Sequence, residues 1–314
     1  MEITSKSLLK PNQKFSLDLF NEPFCSSELD RFKRFETIKN FKNQSFWSKN
    51  DNFNKIGNIL FLSGPARNGN HLLMSLLDGH SKILSQPGED FMLREFLSRV
   101  KENEDEAIKN LTGKNNIEYI LNMSGGKFNK WAKLHEYNVK NLKSDLWSGQ
   151  QPENEGHVTD FQDITPKINY LSFKDYLYSR EKDIQSINNF FDFFSIYLKA
   201  LQYLVGSENY KEFKYPFIWV FSGLRRELFF LFERTENVKC ITPIRRFETF
   251  YHSYARSRFN TNEIEQDVLN ELWEHWRHKT IDYLLLKKKY PDKIDLITFE
   301  NLIQNTHRTI NAVC

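Results

Sequence analysis

Residues 58–77, NILFLSGPARNGNHLLMSLL, constrain the fold more than any other stretch of the chain. A short apolar run at 58–63 meets two glycines five apart, Gly64 and Gly69, and Leu72, Leu73, Leu76 and Leu77 then recur at helical spacing. The order is strand, loop, helix. Residues 217–221 (FIWVF) lead into 225–234 in the same way, and 238–244 (VKCITPI) into 247–259. Such alternation predicts an α/β fold, a parallel sheet flanked by helices. Leu269, Leu272, Trp273, Trp276, Thr280 and Leu284 place one long amphipathic helix over residues 265–289, and Pro291 stops it. Residues 294–299 (IDLITF) read as a further strand, and Glu300 starts the last helix.

At 314 residues the chain exceeds a usual single domain, yet one core with an insertion accommodates that length. Residues 1–54, polar with scattered Phe and Leu, read as an N-terminal cap on a domain spanning 55–314. Between about 101 and 212 the periodicity is weak, with Gly125, Gly126, Gly149 and Pro152 marking loops and a Phe-rich helical run near 190–204. That stretch is expected to be an inserted helical region that binds a second substrate. No internal repeat is visible. With 44 basic and 41 acidic residues the net charge of +3 is too balanced for the one-signed footprint of a nucleic-acid binder, so any anion site is local. Cys25, Cys240 and Cys314 have neither disulfide-framework nor zinc-site spacing, and no signal segment or membrane span is visible. A cytoplasmic protein is expected.

Successive backbone N–H groups in a glycine-bounded loop, followed by a helix N-terminus, form a phosphate cradle. A triphosphate-binding loop of the Walker type needs Lys and then Ser or Thr after the second glycine, and Asn70 and His71 stand there instead. The lysine and the magnesium-holding hydroxyl are both absent, which weighs against a P-loop kinase-like transferase. That reading stays open as an alternative, as does a non-catalytic nucleotide-binding protein. Arg67 can face an oxyanion bidentately and cannot lose its proton, so its role there would be electrostatic. The same residues also suit a plain strand-to-helix turn with a solvated Arg67 and a capping His71.

Residues 58–93 resemble the start of the sulfotransferase family, whose loop reads Pro, basic residue, Ser, Gly, Thr, Thr before a helix ending Leu-Leu-Asp-x-His. Arg67 takes the basic place, Gly69 the glycine, and Leu76-Leu77-Asp78-Gly79-His80 the helix end. Ala66, Asn68 and the pair Asn70-His71 depart from the pattern, although amide and imidazole groups also donate hydrogen bonds to phosphate. The family's second anion site is an Arg at a strand end and a Ser eight residues later. Arg245 and Ser253 stand at that spacing, with Arg246, Arg256 and Arg258 nearby; alone, the segment would read as a solvated basic helix. Residues 287–305 (KKKYPDKIDLITFENLIQN) resemble the family's basic turn, strand and Tyr-Glu-Asp-Leu element, here Phe299-Glu300-Asn301-Leu302, with the glutamate structural.

The resemblance implies a P-loop-type sulfotransferase fold and a sulfuryl donor, 3′-phosphoadenosine 5′-phosphosulfate (PAPS), with the bisphosphate PAP as product and no metal. Arg67, Asn68, Gly69, Asn70, His71, Arg245 and Ser253 would hold the donor. The acceptor would be a hydroxyl or amine on a small molecule, carbohydrate or peptide. Gly88-Glu89-Asp90 is similar to the Gly-Glu-Glu segment of tyrosylprotein sulfotransferases, whose second carboxylate is the base. Alignment points to Asp90, whereas a turn displaced by two extra residues favours the longer Glu89. Both would also suit a capping turn before a helix starting at Phe91. The family often carries Lys or Arg at the end of the strand matching 217–221, and here the first cation is Arg225.

Overall fold

A computed structural model describes residues 29, 30, 33, 41–54, 58–77, 84–89, 92–123, 170–204, 217–222, 225–259 and 266–313. Among these residues the sheet has five strands: β1 (Ile59–Gly64), β2 (Leu84–Glu89), β3 (Phe217–Ser222), β4 (Val238–Ile244) and β5 (Ile294–Thr298). All pair in parallel, in the order β2-β3-β1-β4-β5. The expected α/β class, a parallel sheet flanked by helices, is therefore the architecture. Central β1 is almost wholly buried, as a parallel strand covered on both faces must be. Since the strands share a direction, their carboxyl ends line one edge, where an open α/β sheet forms its binding crevice.

Alternation along β1 and β4 divides the core. Ile59, Phe61, Val238 and Cys240 belong to the larger cluster, with helices on that face. Leu62 and Ile241 face the other way, onto Leu73, Met74 and Leu77 of α2 (Asn70–Leu77) and onto Leu302. A short helical turn, α1 (Asp51–Asn54), precedes β1. The larger cluster draws on α3 (Met92–Glu102), α4 (Glu104–Thr112), α5 (Asn116–Asn122), α6 (Tyr170–Ser179), α7 (Glu181–Gln185), α8 (Phe190–Leu204) and α9 (Arg225–Arg234). The described part of 101–212 is thus helical. The Phe-rich run forms α8, whose Phe190, Phe191, Phe193 and Phe194 are fully buried, so these rings are core. Beyond β4 come α10 (Phe247–Phe259) and α11 (Gln266–Lys289), then β5, α12 (Phe299–Gln304) and α13 (Thr306–Val313).

Residues 41–54 fold onto this core. Phe46, Trp47 and Phe53 are buried, and the Glu104 carboxylate accepts hydrogen bonds from the Lys42 and Asn43 amides and from Trp47 Nε1.

Two elements differ from the sequence reading: the single last helix expected from Glu300 is divided into α12 and α13, and β2 replaces a turn. Residues 84–89 form a strand up to Glu89, with α3 starting at Met92, where the sequence reads as a turn. β2 is an edge strand, so Pro87 removes no donor that a central strand would need. Its register against β3 runs Ser85↔Ile218 and then Glu89↔Val220, four steps against two, which absorbs two extra residues as an irregularity.

Candidate functional site

The loop after β1 is shaped by three backbone features. Arg67 has φ +64°, the left-handed region that non-glycine residues rarely occupy, and Gly69 has φ +97°. A Cβ on Gly64 would meet Asn70 Oδ1 at 2.8 Å and Pro243 O at 2.9 Å, so only glycine lets β1 end this close to β4. The Asn70 amide donates to Gly64 O (3.3 Å) and Pro65 O (3.2 Å), which closes the loop from inside. Past the loop, the first N–H groups of α2 have no intrahelical acceptor by the geometry of any helix start.

Two arginines distant in sequence converge there. Arg245 leaves the carboxyl end of β4 and donates from Nη1 to Arg67 O (3.3 Å), which braces the strained residue. Arg67 Nη2 in turn points toward Ser253 O on α10 (3.4 Å). Phe299, first residue of α12, fills the space between: the Arg245 guanidinium lies 4.1 Å from its ring centroid, while the ring packs where a Gly69 side chain would be. Arg67 and Arg245 are half-buried. Burial lowers the Arg245 pKa and nearby Arg67 adds to that shift, with Glu300 opposing both. Glu300 itself accepts from Arg246 N and Thr249 Oγ1, both at 3.1 Å, and so caps the start of α10.

Asn68 is fully buried, and neither atom of its amide has a hydrogen-bond partner among the described residues. A buried amide without partners costs about 1–3 kcal/mol, so this loop holds polar capacity that an oxyanion ligand could use.

The structure thus brings Arg67, Asn68, Gly69, Asn70, Arg245 and Ser253 to one end of β1 and β4. His71 lies in the first turn of α2 and Glu89 ends β2, both at the same sheet edge; their side chains, and all of Asp90, lie outside the described residues. Neither cation after β3 stands alone. Arg225 pairs with Asp282 of α11 and Arg226 Nη2 lies 3.3 Å from Glu227 Oε1. Asp282 is fully buried, and sequence reasoning missed it. Its signal was a carboxylate set among Ile281, Tyr283, Leu285 and Leu286 in a helix otherwise read by its apolar stripe. Above it, Tyr283 Oη and Ser63 Oγ share a buried hydrogen bond of 2.7 Å.

Among the described residues, no group of three His, Cys, Asp or Glu side chains could hold a metal, and no helix is long and apolar enough to cross a membrane.

No family model matches the chain, and no curated protein matches it. Among solved structures it is similar to the sulfotransferase domain of the Synechococcus PCC 7002 olefin synthase (15% identity, TM-score 0.45, covering 82% of this chain and 71% of that one). It is also similar to the sulfotransferase domain from the curacin biosynthetic pathway (14% identity, TM-score 0.44, covering 82% and 72%).

Proposed function

We propose that this chain is a sulfotransferase that moves a sulfuryl group from PAPS to a hydroxyl or amine acceptor. One observation carries the reading: Arg67 and Arg245, 178 residues apart and each matching an anion-binding position of the sulfotransferase pattern, meet at the glycine-bounded loop beside Ser253. The buried, unpartnered Asn68 amide and the glycine-shaped loop fit an oxyanion ligand at the same place.

Bound at the loop, the donor supplies an electrophilic sulfur and a nucleotide phosphate as leaving group. Arg67, the Asn68 amide, the Gly69 and Asn70 backbone amides and His71 hold the phosphate that gains charge as the sulfur–oxygen bond breaks. Arg245 and Ser253 hold the 3′-phosphate. A carboxylate at the end of β2, Glu89 or Asp90, takes the proton as the acceptor oxygen or nitrogen bonds to sulfur. The protein's share is positioning and charge stabilisation, and it needs no divalent ion.

Thermal denaturation tests the donor. PAP without metal should raise Tm, by an amount equivalent to about 2.7 kcal/mol at 100 times its Kd. A magnesium requirement with preference for ATP would replace this reading with the kinase-like one. Single-turnover transfer from labelled PAPS across hydroxyl and amine acceptors then separates an enzyme from a non-catalytic nucleotide binder.

A further inference from the structure

Donor-side cations gather at β1 and β4, but a second group lies toward β2 and β3. Trp276, Lys279 and Tyr283 are spaced three and four apart on α11, so they share a stripe of roughly 60°. Both ends of the stripe are fastened at the carboxyl edge of the sheet. Trp276 Nε1 donates to Arg245 O (2.9 Å), just past β4, and Tyr283 Oη bonds Ser63 Oγ near the end of β1. Lys279 therefore stands at the crevice mouth, half-buried, with no hydrogen-bond or carboxylate partner of its own among the described residues. Arg225, paired to Asp282 three residues along the helix from Lys279, and the exposed Arg94 in the first turn of α3, after β2, both act on it electrostatically. Among the described residues the carboxylate acting on Lys279 is Asp282, which is paired with Arg225. His275, one turn before Lys279, sits at the exposed rim.

Among the described residues these three cations stand against one carboxylate, at the edge of the sheet where β2 ends, so the described side chains carry a net positive charge there. Resting on the sulfotransferase reading, we infer that Lys279, Arg225 and Arg94 form a second anion site, which binds an oxyanionic group carried by the acceptor: a carboxylate, sulfate or phosphate ester near the reacting hydroxyl or amine.

The charges have a measurable consequence. Burial lowers the Lys279 pKa to about 8, with Arg225 and Arg94 adding to the shift and Asp282 opposing it. An anion at this site favours the ammonium form, so binding just above that pH draws a proton from solution. Arg225 and Arg94 are guanidiniums and stay charged.

Calorimetry on the PAPS-saturated protein at pH 8.5, in two buffers of different ionisation enthalpy, tests this with inorganic phosphate as the probe and chloride at equal ionic strength as the control. Phosphate should bind beyond the chloride background with uptake of a fraction of a proton. Lys279→Gln should weaken that binding at least tenfold. Lys279→Arg should keep the binding and lose the proton uptake. PAPS binding in each variant shows that it is folded. Phosphate that competes with PAPS, or no phosphate binding beyond chloride, would overturn the inference while leaving the sulfotransferase reading intact. So would affinity unchanged by Lys279→Gln, or proton uptake that persists in Lys279→Arg. Failure of PAPS itself to bind would sink the sulfotransferase reading and this inference with it.

Discussion

At Gly69 two constraints coincide. Its φ of +97° disfavours any L side chain, and a Cβ would stand 2.4 Å from Phe299 Cδ2. Gly69→Ala should therefore cost at least about 2 kcal/mol of stability, from backbone strain and overpacking together. A double-mutant cycle with Phe299→Leu isolates the steric part, and zero coupling by chemical denaturation would deny the contact. Arg245 faces a different demand, since its guanidinium would bind the 3′-phosphate while bracing Arg67 O. Arg245→Ala should cost about 1.5–3 kcal/mol of PAP binding. Adenosine 5′-phosphosulfate, which lacks the 3′-phosphate, should lose far less; equal losses would make Arg245 purely structural. At the end of β2, Glu89→Gln should lower turnover about 10²- to 10⁴-fold at nearly constant donor affinity, with Asp90→Asn tolerated. If neither change slows turnover tenfold, the base lies elsewhere.

Between residues and the whole fold, one carboxylate joins two elements. Glu104 opens α4, yet its oxygens satisfy the part-buried Lys42 and Asn43 amides and the buried Trp47 indole about sixty residues upstream. Glu104→Ala would leave the buried Trp47 indole without an acceptor and free two part-buried amides, and a loss of about 1–3 kcal/mol is expected, with Trp47 fluorescence reporting solvent exposure. Unchanged stability would show that apolar packing alone holds this segment. Such a contact is invisible in the sequence, where residues 1–54 read as a polar cap, because its energy comes from pairing across distance. Where apolar runs stand between polar turn residues, the reading was complete: α9, β4 and α10 match the ranges expected for them. It failed at β2, where Pro87 and Gly88 carry a turn's chemistry and only the edge position makes a strand possible. In the site, the glycines of the loop were legible because backbone geometry demands them, and Arg245 and Ser253 only through the resemblance to the sulfotransferase pattern. The Phe299 ring between Gly69 and Arg245, and the Arg225–Asp282 pair, were not, since each joins elements that only the folded sheet brings together.

Across the molecule, a net charge of only +3 hides a strongly cationic sheet edge, and that edge should govern how stability varies with pH. Lys279 has an ordinary pKa of 10.5 and a folded value of about 8, lowered by burial and then by Arg225 and Arg94. Between those values the unfolded chain holds a proton that the folded protein has released, so stability rises with pH across the window. Its destabilising effect is full below pH 8 and is relieved above. An opposite contribution enters from Cys240, whose buried thiol is pushed up from 9.0 to about 12: above pH 9 the unfolded chain ionises first and stability falls. Burial raises Tyr283 as well, which acts in the same direction beyond pH 10. The useful range is therefore pH 7 to 9, where the ligand-free protein should gain about 1 kcal/mol in denaturant titrations, allowing for the solvent contact the ammonium keeps. Lys279→Met should be more stable than the parent at pH 7 and should lose the rise, leaving only the slight decline from Cys240. A parent protein whose stability is flat or falling over this range, or a variant that still climbs, would show that Lys279 does not carry the strain of the crevice.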